Sequence, residues 1–204
     1  MPRPRSLTPT RLATAALAVI DRDGLAGLSM RTVARELGVS TMALYRYVED
    51  REQLEELVVE LVLCAVEAEP PPADLPWRER IAILAGRLRD AVAAHPSAVP
   101  LTVLHRHTSP GVLRWSETVL AVLTEAGFDG ERRVVALRAL LGHVVGAIQL
   151  EHLGPLAGGG TAAVPELPAA DFPHLAAAAR DARHVGAGRE FTGGLTALLR
   201  GLEP

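Results

Sequence analysis

Apolar residues recur at intervals of three and four along most of the chain, which is the spacing of one face of an α-helix. The most regular run lies between residues 51 and 68, where acidic residues occupy the opposite side. Its apolar positions are Leu54, Leu57, Val58, Leu61, Val62 and Ala65, and its acidic positions are Glu52, Glu56 and Glu60. The helical pattern continues beyond residue 70, so we expect an all-α fold.

Residues that favour helix ends divide this pattern into separate helices. Thr8 followed by Pro9 favours a helix start, and Gly24 can end that helix. Asp50 can cap the helix that begins at residue 51. A proline-rich joint at 69–75 marks a plausible domain boundary. A further helix is predicted at 77–94, and a brief one after Pro96 ends at about residue 104. The remaining predicted helices are 110–127, 130–152, 170–183 and 187–202, with a Gly- and Pro-rich loop at 153–168.

Two short helices joined by a glycine turn are predicted between Ser29 and Val48. Ser29 and Ser40 are placed to cap them, and Gly38 can end the first in a left-handed conformation. The predicted inward residues are Met30, Val33, Ala34, Leu37, Val39, Ala43, Leu44 and Val48. This is the helix-turn-helix pattern, although an ordinary helical hairpin inside a bundle would show similar spacing.

The second of these helices presents hydroxyl, guanidinium and aromatic groups outward, which suits a DNA major groove. These outward residues are Thr41, Met42, Tyr45, Arg46 and Tyr47, and they include both tyrosines of the chain. Charge is distributed accordingly. Residues 1–46 hold seven arginines against three acids, a balance of +4, whereas the remainder holds fourteen against twenty-one, a balance of −7. A basic head on an acidic body indicates that only the head meets a polyanion.

The composition excludes several classes of protein. The chain has 204 residues, of which 22% are charged, and no uninterrupted apolar run reaches the roughly 18–20 residues of a membrane span. No apolar segment follows the N-terminal basic residues, so we expect no secretion signal and a cytoplasmic protein without a membrane partner. The single cysteine, Cys64, is predicted to be buried and argues against a disulfide framework. Pro2–Arg5 could be a DNA-contacting arm or a frayed terminus.

A long ordered set of residues between 8 and 62 carries a family resemblance. It comprises Ala15-Ala16-Leu17, Gly24, Gly27-Leu28-Ser29-Met30-Arg31, Val33-Ala34, Leu37-Gly38-Val39-Ser40, Leu44-Tyr45, Tyr47-Val48, Arg51 and Leu54. This segment resembles the DNA-binding domain of the tetracycline-repressor (TetR) family of bacterial transcription regulators. A weaker resemblance to the C-terminal domain of the tetracycline-repressor subgroup rests on Pro76-Trp77-Arg78, Gly127-Phe128, Gly142-His143 and Leu150-Glu151.

The resemblance implies a three-helix helix-turn-helix head and a helical ligand-binding and dimerisation domain. We therefore expect a DNA-binding domain with its arm at 1–50, a connecting helix at 51–69 and an effector-binding and dimerisation domain at 70–204. The residues expected at DNA are Arg31, Ser40, Thr41, Met42, Tyr45, Arg46, Tyr47 and Arg51. Base-reading residues vary within the family, so the operator sequence does not follow.

The C-terminal domain offers candidates for binding an unidentified small-molecule effector in a mixed apolar and polar pocket. They are Leu101, Leu104, His105, His107, Trp115, Val119, His143 and Glu151. The histidines, with Glu151 and His152, could instead bind a metal ion or a chelated ligand. Polar pocket lining or plain surface is the simpler interpretation, so we predict no metal and no cofactor.

Two predicted helices, 130–152 and 187–202, carry more apolar residues than one small body needs. Gly142 and Gly146, four residues apart, would permit a close helix approach. Glycine inside a helix costs about 1 kcal/mol relative to alanine, so two of them suggest a packing reason. We expect these helices to form a four-helix interface in a twofold homodimer. Two copies of the head would then read a palindromic operator on double-stranded DNA.

These observations predict a ligand-responsive transcriptional repressor that a small molecule releases from its operator. No Ser/His/Asp spacing, Cys/His pair or phosphate-binding loop indicates catalysis, so we do not expect an enzyme. The alternative is a helical small-molecule-binding protein or metallo-hydrolase whose helix-turn-helix is incidental.

Overall fold

The structure is a computed structural model that describes residues 7–152, 170–182 and 184–204. The predicted arm at 2–5 and the predicted loop at 153–168 lie outside the described residues. Within them the chain forms ten α-helices and no strand, which confirms the all-α fold. The helices are α1 Pro9–Asp23, α2 Met30–Leu37, α3 Thr41–Leu44, α4 Arg51–Cys64, α5 Trp77–Ala93, α6 Val99–His105, α7 Pro110–Glu125, α8 Gly130–His152, α9 Pro173–Ala182 and α10 Ala187–Gly201. Short 3-10 turns occupy Leu25–Gly27, Pro96–Ala98 and Arg106–Thr108.

Most helix starts and ends follow the predicted capping residues. The Thr8 side chain accepts a hydrogen bond from Arg11 N at 3.2 Å, and Asp50 accepts one from Gln53 N at 2.9 Å. Gly24 ends α1 with a φ of 73°, a conformation that suits glycine because it lacks a Cβ. The connecting helix is shorter than predicted, since α4 ends at Cys64 and a turn through Ala65 follows.

Contacts divide the chain into two compact units, Met1–Ala68 with Asp90–Trp115, and Glu69–Arg89 with Ser116–Pro204. The residues at 90–115, which the sequence grouped with the C-terminal domain, thus cluster with the N-terminal unit. The core of this first unit lies where α1 packs against α2 and α4. Its fully buried side chains include Leu12, Ile20, Leu28, Leu44, Leu54 and Val58.

The second unit contains most of α5, the C-terminal part of α7, and α8, α9 and α10. The ring of Trp77 meets Phe128 edge-on at 5.2 Å, and Arg78 Nε donates a hydrogen bond to Leu199 O at 2.9 Å. The apolar spacing within 77–94 predicts that the arginines of this helix face outward, and this prediction is wrong for Arg80. This side chain is buried and pairs with Glu125 at 2.6 Å, because a carboxylate from α7 is available to compensate its charge.

Helix α8 buries one stripe of side chains within the chain rather than several. The stripe is Ala136, Leu140, Val144 and Ile148, spaced four residues apart. The apolar residues of 130–152 are spread around most of the helix, which predicts burial on more than one side. Val134, Val135 and Leu150 are nevertheless exposed, so the described part of this chain does not supply that burial. By length and composition alone, α8 is the one helix among the described residues that could cross a membrane. A helix that packs against protein on two faces passes the same test.

Candidate nucleic-acid interface and ligand site

The helix α2 is built from signals that lie within a few residues of its ends. The Ser29 hydroxyl accepts a hydrogen bond from Thr32 N at 3.1 Å, and the Thr32 hydroxyl accepts one from Ser29 N at 2.9 Å. This reciprocal pair is a capping box, with threonine in the position where glutamate is more usual. Gly38 ends the helix in the left-handed conformation, with a φ of 67°. The turn that sets the next helix is therefore fixed locally.

The helix α3 and the turn that follows it expose most of the side chains that the sequence assigned to DNA. Met42, Tyr45 and Tyr47 are 74%, 46% and 40% exposed, while Leu44 and Val48 are buried. Burial of each of these two anchors stabilises the fold by roughly 1.5–3 kcal/mol. Large apolar and aromatic groups held in solvent on one face, above a packed face, indicate a binding surface.

Two details of this segment differ from the sequence prediction. Val39 is 37% exposed instead of filling the turn, although its amide is held by a hydrogen bond to Ala34 O at 3.0 Å. The Ser40 hydroxyl makes no capping hydrogen bond, although Ser40 does precede α3 in extended conformation. The helix itself is only Thr41–Leu44. The sequence predicted that it extends to residue 48, but residues 45–47 form a turn.

Positive charge surrounds this face. Arg31, Arg35 and Arg46 are exposed on α2 and just after α3. In contrast, Arg22 is paired with Asp23 at 3.1 Å and Glu36 at 3.0 Å. The exposed guanidinium groups can therefore contact phosphates, while Arg22 is partly neutralised by its own neighbours.

The first turn of α4 carries the remaining predicted DNA contact. Arg51 Nε donates to Glu55 Oε1 at 2.7 Å, and the other oxygen of Glu55 lies 3.7 Å from His105 Nε2. The Glu55 side chain is 14% exposed and that of Arg51 is 51% exposed. The nearly buried carboxylate of Glu55 thus holds Nε of Arg51, while the rest of this guanidinium group reaches into solvent.

At its other end α4 is held against the start of α7. Glu60 Oε2 accepts hydrogen bonds from Ser109 Oγ at 2.5 Å and, more weakly, from Gly111 N at 3.4 Å. Burial raises the pKa of the Glu60 carboxyl, but hydrogen bonds from Cys64, Ser109 and Gly111 outweigh it, so the pKa lies below its usual range. A Cβ on Gly111 would lie 2.5 Å from Leu63 O, so the two main chains touch.

Cys64 is exposed, so the prediction of a buried thiol is wrong. The helical period placed it beside the apolar stripe, but the stripe that α4 buries passes through Leu63 and Val62 instead. Its thiol donates to Glu60 at 2.5 Å. Desolvation on the protein side and the adjacent carboxylate raise the pKa of Cys64, which lowers its thiolate fraction.

The predicted effector residues of the first unit fall in three environments. Leu101 and Trp115 are core residues, whereas Leu104 and His107 are exposed. His105 is buried, its Nε2 has no hydrogen-bond partner, and it lines a cleft of about 350 Å³ together with Tyr47, Glu60 and Ser109 among others. The structure therefore does not bring His105 and His107 into one polar site.

In the second unit Val119 is buried in the core, while His143 and Glu151 line one cleft of about 310 Å³ between α8 and α10. Glu151 accepts two hydrogen bonds from Arg89, at 2.8 and 3.1 Å. The His143 ring stacks near Phe191 and its Nε2 lies 3.1 Å from Phe191 O. Among the described residues no three His, Cys, Asp or Glu side chains lie close enough to hold a metal ion.

Of the two predicted dimer helices, α8 exposes apolar surface at Val134, Val135 and Leu150, whereas α10 exposes no large apolar side chain. A Cβ at Gly142 or Gly146 would meet no atom of the described chain within 4 Å, so no intrachain contact accounts for these glycines. Both glycines line the cleft beside α10. Their predicted packing role therefore stays a prediction about a second copy.

Sequence reasoning missed Glu55, Glu60, Gly111 and Arg89. Glu60 was placed on the outer side of the connecting helix because its partners lie 49 and 51 residues away. The signal that could have found Gly111 is its position directly after Ser109-Pro110, where a glycine has no helix-capping purpose. No local signal distinguishes Glu55 from the neighbouring glutamates.

Comparisons with known proteins agree with this geometry. The family model described as "Bacterial regulatory proteins, tetR family" matches residues 12–57, and the one described as "Tetracyclin repressor-like, C-terminal domain" matches residues 69–204. The chain is 34% identical, over 146 residues, to the HTH-type transcriptional repressor DrrR1 of Streptomyces coeruleorubidus. That match covers 72% of this chain and spans 54%, about half, of the relative.

Solved structures extend the similarity over nearly the whole chain. A possible TetR family transcriptional regulator from Streptomyces coelicolor A3(2) has 32% identity and a TM-score of 0.85, covering 96% of this chain and 98% of its own. ActR from Streptomyces coelicolor, in complex with actinorhodin, has 28% identity and a TM-score of 0.79, covering 97% of both chains. With both family models in sequence order and the helix-turn-helix geometry in place, the chain belongs to the TetR family of bacterial regulatory proteins.

Proposed function

We propose that this protein is a homodimeric transcriptional repressor that binds a palindromic operator and is released by a small-molecule effector. The observation that carries the proposal is the outward face of residues 41–48, the helix α3 and the turn after it. Met42, Tyr45 and Tyr47 stay in solvent there, while Leu44 and Val48 anchor the segment in the core. The repressor name of the DrrR1 relative supports a role in transcription. Operator DNA is a cytoplasmic partner, which supports a cytoplasmic location.

Phosphate contacts would position the head, and base contacts would give specificity. We assign phosphate contacts to Arg31 and Arg51 and to the hydroxyls of Ser40 and Thr41. The helix α3 and the turn after it then present the reading groups, which are Met42, Tyr45, Arg46 and Tyr47. In a twofold dimer two such faces would meet successive major grooves about 34 Å apart.

Dimerisation through α8 and α10 is supported by the exposed apolar side chains of α8, Val134, Val135 and Leu150. It is also supported by Gly142 and Gly146 of α8, where an added Cβ would meet nothing within 4 Å. The predicted interface was residues 130–152 and 187–202, and the helices observed there are Gly130–His152 and Ala187–Gly201. A shared apolar surface also explains why α8 is so hydrophobic along its length. Sedimentation of the purified protein tests this, and a monomer at micromolar concentration would contradict it.

We place effector contacts at His105 in the first unit and at His143 and Glu151 in the second. The complex of ActR with actinorhodin supports a small-molecule ligand in a protein of this fold. An effector would release DNA only to the extent that it binds one conformation more tightly than the other. We propose no enzymatic activity, since regulators of this family generally act by binding.

The test begins with operators selected from a random duplex library by the wild-type protein. Tyr45→Ala with Arg46→Ala should reduce binding of the selected duplex at least 100-fold, because both groups leave the reading face. The matched control is Phe172→Ala with Arg180→Ala, which removes one exposed aromatic ring and one exposed guanidinium from the second unit. Binding within twofold of wild type by the first variant would refute the assignment of the reader.

Effector release has its own assay. A labelled operator complex is titrated with actinorhodin first and then with a library of aromatic natural products, and fluorescence anisotropy reports release. His105→Leu and His143→Leu are tested separately because they lie in different units. If no compound releases the operator, the ligand-responsive part of the proposal fails while the DNA-binding part stands.

A further inference from the structure

Glu55 lies between two residues that were assigned to different tasks. One of its carboxylate oxygens accepts the Nε–H of Arg51 at 2.7 Å, and the other lies 3.7 Å from Nε2 of His105. Arg51 is a proposed phosphate contact, and His105 is a proposed effector contact. The carboxylate of Glu55 therefore binds the proposed DNA contact and lies close to the proposed effector contact.

The contact with Arg51 orients a guanidinium group. Only Nε takes part in the bond to Glu55 Oε1, so the two terminal nitrogens lie outside it. A half-exposed ion pair of this type contributes little to stability. Its consequence is preorganisation, since an arginine already held in place loses less conformational freedom when it meets a phosphate.

The contact with His105 is incomplete. His105 is buried and its Nε2 makes no hydrogen bond. A distance of 3.7 Å exceeds a normal N–H···O bond, so a shift of about 0.5–1 Å would close it. The helix α6 ends at His105 and packs against α4, so a small movement of its last turn changes this distance directly.

We propose that Glu55 is a positioning residue that holds Arg51 for a DNA phosphate and couples it to His105. When His105 also contacts the Glu55 carboxylate, His105 and Arg51 share its negative charge. The ion pair that orients Arg51 is then weaker, and the orientation of Arg51 changes. This proposal rests on the proposed function, because it requires that Arg51 meets operator DNA.

The first measurement is the salt dependence of operator binding for wild type, Arg51→Ala, Glu55→Gln and Glu52→Gln. Each lost phosphate contact lowers the slope of log affinity against log salt by about 0.9, which is about 1.8 for a dimer. Glu55→Gln should weaken binding and lower the slope towards that of Arg51→Ala. Glu52 is exposed one turn earlier on the same helix, so Glu52→Gln removes the same charge and should bind as tightly as wild type or tighter.

This control separates positioning from charge, because removal of a negative group near DNA should by itself strengthen binding. A variant that merely unfolds in part would lose active protein but keep its slope, and thermal melts check folding. If Glu55→Gln does not fold, Glu55→Asp replaces it, since it keeps the charge and shortens the reach. Unchanged affinity and slope in the folded Glu55 variant overturn the proposal, and so does an Arg51→Ala variant that binds like wild type.

The second measurement tests the coupling. The effects of Arg51→Ala and His105→Leu on operator affinity are combined in a double-mutant cycle, once with Glu55 present and once in the Glu55→Gln background. We expect the pair to deviate from additivity at least threefold with Glu55 and to be additive without it. Additivity in both backgrounds overturns the link to His105. If wild type itself selects no operator, the proposed function has failed, which is a distinct outcome.

Discussion

Replacement of Gly111 by alanine tests the main-chain contact between the end of α4 and the start of α7. An added Cβ would lie 2.5 Å from Leu63 O, 2.6 Å from Leu63 C and 2.9 Å from Cys64 N. All three distances are shorter than real carbon contacts, and all three atoms belong to the main chain. A flexible side chain cannot relieve the overlap, so one helix has to move relative to the other.

Overpacking of this type costs about 1–3 kcal/mol. For a domain of 150–250 residues each kcal/mol shifts the melting temperature by about 2–4 °C, so we expect Gly111→Ala to melt roughly 2–12 °C lower. The control is Gly86→Ala in the middle of α5, where a Cβ would meet nothing within 4 Å. That substitution gains about 1 kcal/mol of helix propensity and should raise the melting temperature.

Scanning calorimetry at one fixed protein concentration provides the comparison, because the proposed dimerisation would make the melting temperature depend on concentration. Both variants replace glycine by alanine in a helix, so they differ in surroundings and not in chemistry. If Gly111→Ala melts at or above wild type while Gly86→Ala is stabilised, the close contact of the two helices is wrong.

Three further predictions follow from the described contacts. Glu60→Gln should destabilise the protein at neutral pH. Because the pKa of Glu60 is lowered in the folded state, the stabilisation by its carboxylate is complete above the usual glutamate pKa of about 4.3 and is lost as the pH falls further. Urea titrations between pH 7 and 3 should therefore show the gap to wild type closing at the acid end. Glu125→Gln should cost about 1–3 kcal/mol in urea unfolding, towards the lower end since Glu125 is solvent-accessible, because buried Arg80 loses its charge partner. Gly194→Ala should destabilise the protein less than Gly111→Ala in the same assay. Its Cβ would lie 2.7 Å from Cε1 of His143, a ring at the end of a side chain that can move aside, and alanine favours the helix by about 1 kcal/mol over glycine.

The sequence alone was sufficient wherever the physical cause is local. Thr8, Ser29 and Asp50 each accept a hydrogen bond from an amide three residues later, and Gly24 and Gly38 adopt positive φ where glycine is favoured. The outward face of α3 was predicted correctly for the same reason, since Leu44 and Val48 are four residues apart and face one core. These signals determined the all-α class and the helix-turn-helix.

Only the tertiary structure decided which polar groups meet across the chain. Glu60 and Ser109 are 49 residues apart, and Arg80 and Glu125 are 45 apart, so no local pattern relates them. The helical period gives the direction of a side chain but not the identity of what packs there. For that reason the sequence placed Cys64 in the core, Arg80 in solvent and α8 in a position buried on more than one side. The sequence determined the elements and the outward face of 41–47, and the packing of distant helices decided which carboxylates meet Ser109 and Arg80.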